Sequence, residues 1–117
     1  MNKSILVVED ESDLREGMVA LFKDRDYLVF EAANGVDALQ ILEDNLIDIV
    51  LSDIKMPKLD GLGLLKKVRT EFNRQPKFYL MSGDNPYDIS DFLLLGISAY
   101  FDKPLDIDKV LLQINDD

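Results

Sequence analysis

The sequence predicts an α/β fold: a doubly wound, five-stranded parallel sheet in the order 2-1-3-4-5, with helices on both faces. Three observations predict it. Short apolar runs alternate with amphipathic stretches along the 117 residues, the pattern of repeated βα units. The runs at Ile5, Ile49 and Phe78 are continuously apolar, as strands covered on both faces should be. Those at Leu28 and Ala99 are weaker, as edge strands should be, so the sheet is buried at its centre.

Taken in order, Ile5 to Val8 form the first strand. Leu14, Met18, Leu21 and Phe22 then recur at i, i+4, i+7 and i+8, one apolar helix face. Leu28 to Ala32 form the second strand, and Asn34 with Asp37 three residues on signals the second helix. Ile49 to Leu51 give the third strand, followed by a third helix starting at Asp60-Gly61. Phe78 to Met81 give the fourth strand, and Asn85 with Pro86 at the first helical position signals the fourth helix. Ala99 to Phe101 are the fifth strand. Asp106 starts the last helix, whose Ile107, Val110, Leu111 and Ile114 share a face. Without repeat, low-complexity tract or linker, residues 1–117 read as one domain. In the fourth helix Phe92 to Leu95 are all apolar. If Ile89, Phe92, Leu93 and Gly96 face the sheet, Leu94 points away, which marks a contact for a partner or a second copy; the plain alternative is a lone exposed leucine.

Composition narrows the chemistry. There is no Cys and no His, so neither thiolate nor imidazole can ligate a metal or act as a base. A formal charge of −10, from 23 acidic and 13 basic residues, works against binding nucleic acid or an anionic membrane. Cations and basic or neutral proteins are the expected partners. Only Met1 to Ser4 precede the first apolar run and acids follow it, unlike a signal peptide. No stretch approaches the ~20 apolar residues of a membrane helix, so the expected location is cytoplasmic.

In this strand order the ligand site lies beyond the carboxyl ends of strands 1 and 3, where the winding reverses. Both ends are acidic here: Glu9-Asp10 after the first and Ser52-Asp53 at the third. The fourth strand adds Ser82-Gly83 and the fifth adds Lys103-Pro104. Two like charges about 4 Å apart repel by roughly 4 kcal/mol at an effective dielectric of about 20, so three carboxylates together call for a cation. Lys103 can neutralise one. Hard oxygen ligands with open positions suit Mg²⁺, held by carboxylates, waters and a phosphate.

These residues, Val8-Glu9-Asp10-Glu11, Asp53-Ile54-Lys55-Met56-Pro57 with Asp60-Gly61, Ser82-Gly83 and Tyr100-Phe101-Asp102-Lys103-Pro104, occur in order at the right strand ends. The constellation resembles the receiver domain of bacterial two-component response regulators across essentially the whole chain. The resemblance implies a phosphorylation-activated signalling switch, not an enzyme acting on external substrates, with Asp53 as phosphoryl acceptor. It implies that Asp10 and Asp53 ligate Mg²⁺ directly, Glu9 through water, and Lys55 by its backbone carbonyl. Ser82 and Lys103 then bind phosphoryl oxygens. It further implies a phosphohistidine donor on a histidine kinase or phosphotransfer protein. The output is a movement of Ser82 and Tyr100 that remodels the surface of the fourth helix, fifth strand and fifth helix, a face for an output protein, an output domain or a homodimer. The Lys103–Pro104 peptide is implied to be cis. The resemblance also implies that Lys55 and Asp84 stand at variable positions that tune the phosphoryl lifetime, and their opposite charges can pair across the entrance.

Each assignment has a bland rival. Glu9, Asp10 and Glu11 could merely favour the dipole of the first helix. Asp53 and Ser82 could be ordinary turn residues, Lys103 a solvated charge, and Tyr100 edge-strand packing. Asp60 caps a helix in either reading. A flavin site on the same topology is disfavoured, because acids occupy the turn where a phosphate needs free N–H groups. An aspartyl-phosphate hydrolase would need a second carboxylate two residues after Asp53, where Lys55 stands. A phosphorylation-independent interaction module is the alternative that sequence excludes least well. No DNA-binding segment is present in these residues, and the chain could stand alone or be part of a longer protein.

Overall fold

The computed structural model describes residues 2–84 and 87–116. Strands β1 (Ser4–Val8), β2 (Leu28–Ala32), β3 (Ile49–Asp53), β4 (Lys77–Ser82) and β5 (Ala99–Asp102) alternate with helices α1 (Ser12–Asp24), α2 (Gly35–Asp44), α3 (Gly61–Glu71), α4 (Ile89–Leu94) and α5 (Ile107–Asp116). The strands form one parallel sheet in the order β2-β1-β3-β4-β5. β1, β3 and most of β4 are buried, while β2 and β5 are partly exposed edges.

Because successive strand residues point to opposite faces, the sheet divides the core in two. Leu6, Val8, Val50, Phe78 and Leu80 pack under α2, α3 and α4. Ile5, Val7, Ile49, Leu51, Tyr79 and Met81 pack under α1 and α5. The register sets Val8 beside Ser52 and Asp53 beside Met81. Glu9, Asp53 and Ser82 therefore leave the sheet along the same edge.

Helix starts follow the capping residues. The Asn34 side chain accepts from the Asp37 N–H, and Asp60 accepts from the Gly63 N–H. Asp106 accepts weakly from the Lys109 N–H at 3.3 Å. Gly61 lets α3 begin against β3, since a Cβ there would lie 2.5 Å from the Asp53 carbonyl oxygen.

Three expectations need correction. The face of α1 is Met18, Val19 and Phe22, with Leu21 partly buried; Leu14 is 45% exposed. Leu14 lies in the first turn and lines a cleft of ≈ 680 Å³ with Gly17, Leu105 and Ile107. The expected start of α4 at Asn85 and Pro86 lies outside the described residues. The helix begins at Ile89, where the Asp88 side chain accepts from the Ser90 N–H. Leu93 does not face the sheet and neither does Gly96, which is exposed. With so short a helix only Phe92 is fully buried, and Leu93 and Leu94 are 61% and 88% exposed. The chain turns at Gly96 (φ +75°), and Arg69 holds the Leu95 and Gly96 carbonyls at 2.7 and 3.0 Å. The exposed Leu94 is as the sequence reading expected.

Candidate functional site

The site is built from the turns that follow β1, β3, β4 and β5. Glu9 is anchored first: its N–H donates to the Ala32 carbonyl at 3.1 Å, and its side chain is almost wholly buried. Asp53, the last residue of β3, is 6% exposed, and its Oδ1 accepts from the Ile54 N–H at 2.9 Å. Lys103 enters from β5, just before a cis peptide bond to Pro104. Its Nζ donates to Glu9 Oε1 at 2.6 Å and to Asp53 Oδ2 at 3.0 Å. Asp10 is exposed at the rim, yet Glu9, Asp10 and Asp53 each bring an oxygen within 4.8 Å of the others.

The electrostatics are unbalanced. Three carboxylates face one ammonium, leaving a deficit of two positive charges if all are ionised. Partial burial, then the neighbouring Glu9, push Asp10 above the usual aspartate pKa. Burial works to lower the pKa of Lys103, but Glu9 and Asp53 outweigh it and hold the ammonium above the ordinary 10.5. The donor set is all oxygen with an open side. A cation with ligand distances of about 2.1 Å could draw these oxygens together with small side-chain shifts, so the residues fit a small divalent ion.

Beside the cluster, Asp10, Lys55, Met56, Pro57 and Asp60 line an open cleft of ≈ 370 Å³. Lys55 Nζ reaches Asp84 Oδ2 at 2.9 Å across its edge, both side chains being largely exposed. Ser82 is buried, and its Oγ accepts from the Asp84 N–H at 3.1 Å. Tyr100, opposite Leu80 in the register, is half-buried against the core beneath α4 and lies outside the carboxylate cluster.

The family described as "Response regulator receiver domain" matches residues 5–115. The chain belongs to that family. A receiver domain is the signalling module of two-component response regulators, and the relatives agree. The chain is similar to "Transcriptional regulatory protein DltR" of Streptococcus agalactiae, 39% identical over 110 residues, covering 94% of this chain and 49% of that protein. It is similar to "Sporulation initiation phosphotransferase F" of Bacillus subtilis, 34% identical over 111 residues, covering 94% and 89%. Among solved structures, a response regulator receiver protein from Pseudomonas putida superposes with a TM-score of 0.92 at 26% identity, covering 100% and 98%. The chain spans about half the length of the first relative and most of the second.

Two residues of this receiver domain escaped the sequence reading. Arg15 Nη1 donates to the Glu9 carbonyl at 2.8 Å, and its Nε reaches Glu31 on β2 at 3.1 Å. An Arg in the first turn of a helix beginning just past the acidic pair was the available signal. The Tyr87 hydroxyl donates to the second oxygen of Asp60, and its ring packs edge-on against Phe92. Nothing in the local sequence pairs Tyr87 with Asp60.

Proposed function

We propose that Asp53 accepts a phosphoryl group from a phosphohistidine on a histidine kinase or phosphotransfer protein in an Mg²⁺-dependent reaction. The observation that carries this reading is the gathering of Glu9, Asp10 and Asp53 oxygens within 4.8 Å of one another, with the Lys103 ammonium bridging Glu9 and Asp53, beside an open cleft. An Asp53 carboxylate oxygen attacks phosphorus as the P–N bond to the donor imidazole breaks, its electron pair leaving with the ring nitrogen. The chain has no His, so the donor imidazole lies outside residues 1–117. Asp10, Asp53 and the Lys55 carbonyl would hold Mg²⁺, with Glu9 acting through water. The ion would supply neutralisation between the approaching anions. Lys103 and Ser82 stabilise the charge spread over the transferred oxygens by position and electrostatics. The domain thus supports its own phosphorylation and dephosphorylation without turning over an external substrate.

Ser82 Oγ accepts from the Asp84 N–H, which leaves its own O–H to donate to a phosphoryl group on Asp53. In this reading Tyr100 follows inward, and the surface of α4, β5 and α5 changes. Switching that surface from mostly inactive to mostly active takes about 5.5 kcal/mol of preference for one state, which several charge-assisted hydrogen bonds can supply. The exposed Leu93, Leu94 and Leu112 give this surface apolar contacts for an output protein, an output domain or a second copy. A cytoplasmic location fits such a relay; among the described residues no helix is long and apolar enough to cross a membrane. The Lys55–Asp84 pair narrows the entrance to hydrolytic water, so Lys55→Ala should shorten the phosphoryl lifetime; an unchanged decay rate would remove that role.

The test is phosphoryl incorporation from acetyl phosphate, with and without Mg²⁺, in the parent and in Asp53→Asn. Labelling that needs Mg²⁺ and vanishes in the variant is expected. A folded parent that takes no label with Mg²⁺ present would leave an interaction module that has kept the site only as scaffold.

A further inference from the structure

We propose that Arg15 is a positioning residue for the acidic turn, setting the affinity of the carboxylate cluster for its divalent cation. The inference rests on reading Glu9, Asp10 and Asp53 as that cation's site. Glu9 and Asp10 share a planar peptide unit, so a bond to the Glu9 carbonyl oxygen fixes the rotation of the plane from which Asp10 departs. Arg15 Nη1 makes that bond at 2.8 Å, while the Glu9 N–H is tied to Ala32 on β2 at 3.1 Å. Both backbone polar groups of Glu9 are therefore held. The guanidinium is itself anchored: its Nε is 3.1 Å from Glu31 Oε1, and the Arg15 side chain is only 17% exposed.

A planar guanidinium holds its five N–H groups at fixed angles, and here Nη1 grips the acidic turn while Nε grips β2. A point-charge ammonium cannot reproduce that fork. The role opposes Arg15's charge. As a cation it repels Mg²⁺ and weakens binding, whereas as an anchor of Asp10 it strengthens binding. The sign of the change on removing it therefore separates the two effects.

The experiment is Mg²⁺ titration by calorimetry, with Mg²⁺-induced thermal stabilisation alongside, on the whole chain as parent, Arg15→Met and Arg15→Lys. Groups that orient a metal's ligands from one bond further out typically change affinity by about 10–100-fold. Arg15→Met is expected to raise the Mg²⁺ dissociation constant roughly tenfold, despite losing a repelling charge. Arg15→Lys keeps the charge and loses the fork, so it should also bind more weakly. A folded Arg15→Met that binds Mg²⁺ as tightly as the parent, or more tightly, overturns the proposal. If that variant does not fold, unchanged affinity in Arg15→Lys overturns it instead. A parent that binds no Mg²⁺ removes the cation-site reading and this inference with it, whereas normal parent binding with unaltered variants removes this inference alone.

Discussion

Asp48 and Asp53 flank the same strand, one just before β3 and the other at its end, and their surroundings are opposite. Asp48 is satisfied on every side. Its Oδ2 accepts from the Ser4 N–H at 2.9 Å and the Ser4 hydroxyl at 3.1 Å, and Arg74 reaches its Oδ1 at 2.8 Å. The Ser4 N–H above all, then the Ser4 hydroxyl and Arg74, hold its pKa below the usual carboxylate range despite some burial. Asp53 shares one ammonium with Glu9 and stands in a cluster with Asp10, whose pKa is pushed up. The amino edge of the sheet uses a carboxylate to hold strands and turns together. The carboxyl edge crowds carboxylates that oppose one another, which is costly in the folded state and useful for gathering a cation and a phosphoryl group.

The comparison breaks first at Lys103. Lys103→Met leaves Glu9 and Asp53 buried with no ammonium between them; because Lys103 is partly exposed, the cost should sit near the low end of the range for broken buried pairs, about 3 kcal/mol in urea unfolding. A loss below about 0.5 kcal/mol would mean that water already screens the cluster.

The next test is at the other edge. Asp48→Ala strands the Ser4 N–H and frees Arg74, while the Ser4 hydroxyl keeps the Leu46 carbonyl at 2.9 Å; the change should cost about 2 kcal/mol and leave acetyl-phosphate labelling of Asp53 unchanged. Reduced labelling at full occupancy of the folded state would show that the two edges are coupled. The pH dependence sharpens the point. A depressed folded pKa means the Asp48 contribution is present above the unfolded value and is lost as pH falls through the lower, folded one, so the parent should converge on Asp48→Ala only below about pH 4.

The smallest effect has the opposite sign. Asp10 is raised in the folded state, so its ionised form opposes folding at neutral pH, and that penalty fades as pH falls. Asp10→Asn without metal should therefore melt about 2–4 °C higher than the parent at pH 7, with the difference closing on acidification. A lower melting temperature would place Asp10 among the structural carboxylates, with Asp48.

The strand ends and most caps were legible because their signals are local. Asn34, Asp60 and Asp106 announce helices by a side-chain acceptor next to free N–H groups. The start of α4 was less legible because Asn85-Pro86 and Asp88 compete within four residues, and only Asp88 caps the described helix. Leu14 was misassigned because periodicity reports which residues share a face and not how far the sheet extends beneath it.

By itself the sequence determined five βα units, weak edge strands, and Glu9, Asp10, Asp53, Ser82 and Lys103 at strand ends, since hydrophobic period and residue order survive without any partner. Tertiary structure decided which groups touch: Lys103 bridging Glu9 and Asp53, Arg15 on the Glu9 carbonyl, Tyr87 on Asp60, Arg69 closing the end of α4. Those contacts join residues up to 94 positions apart, and only register and helix packing bring such groups within hydrogen-bond reach.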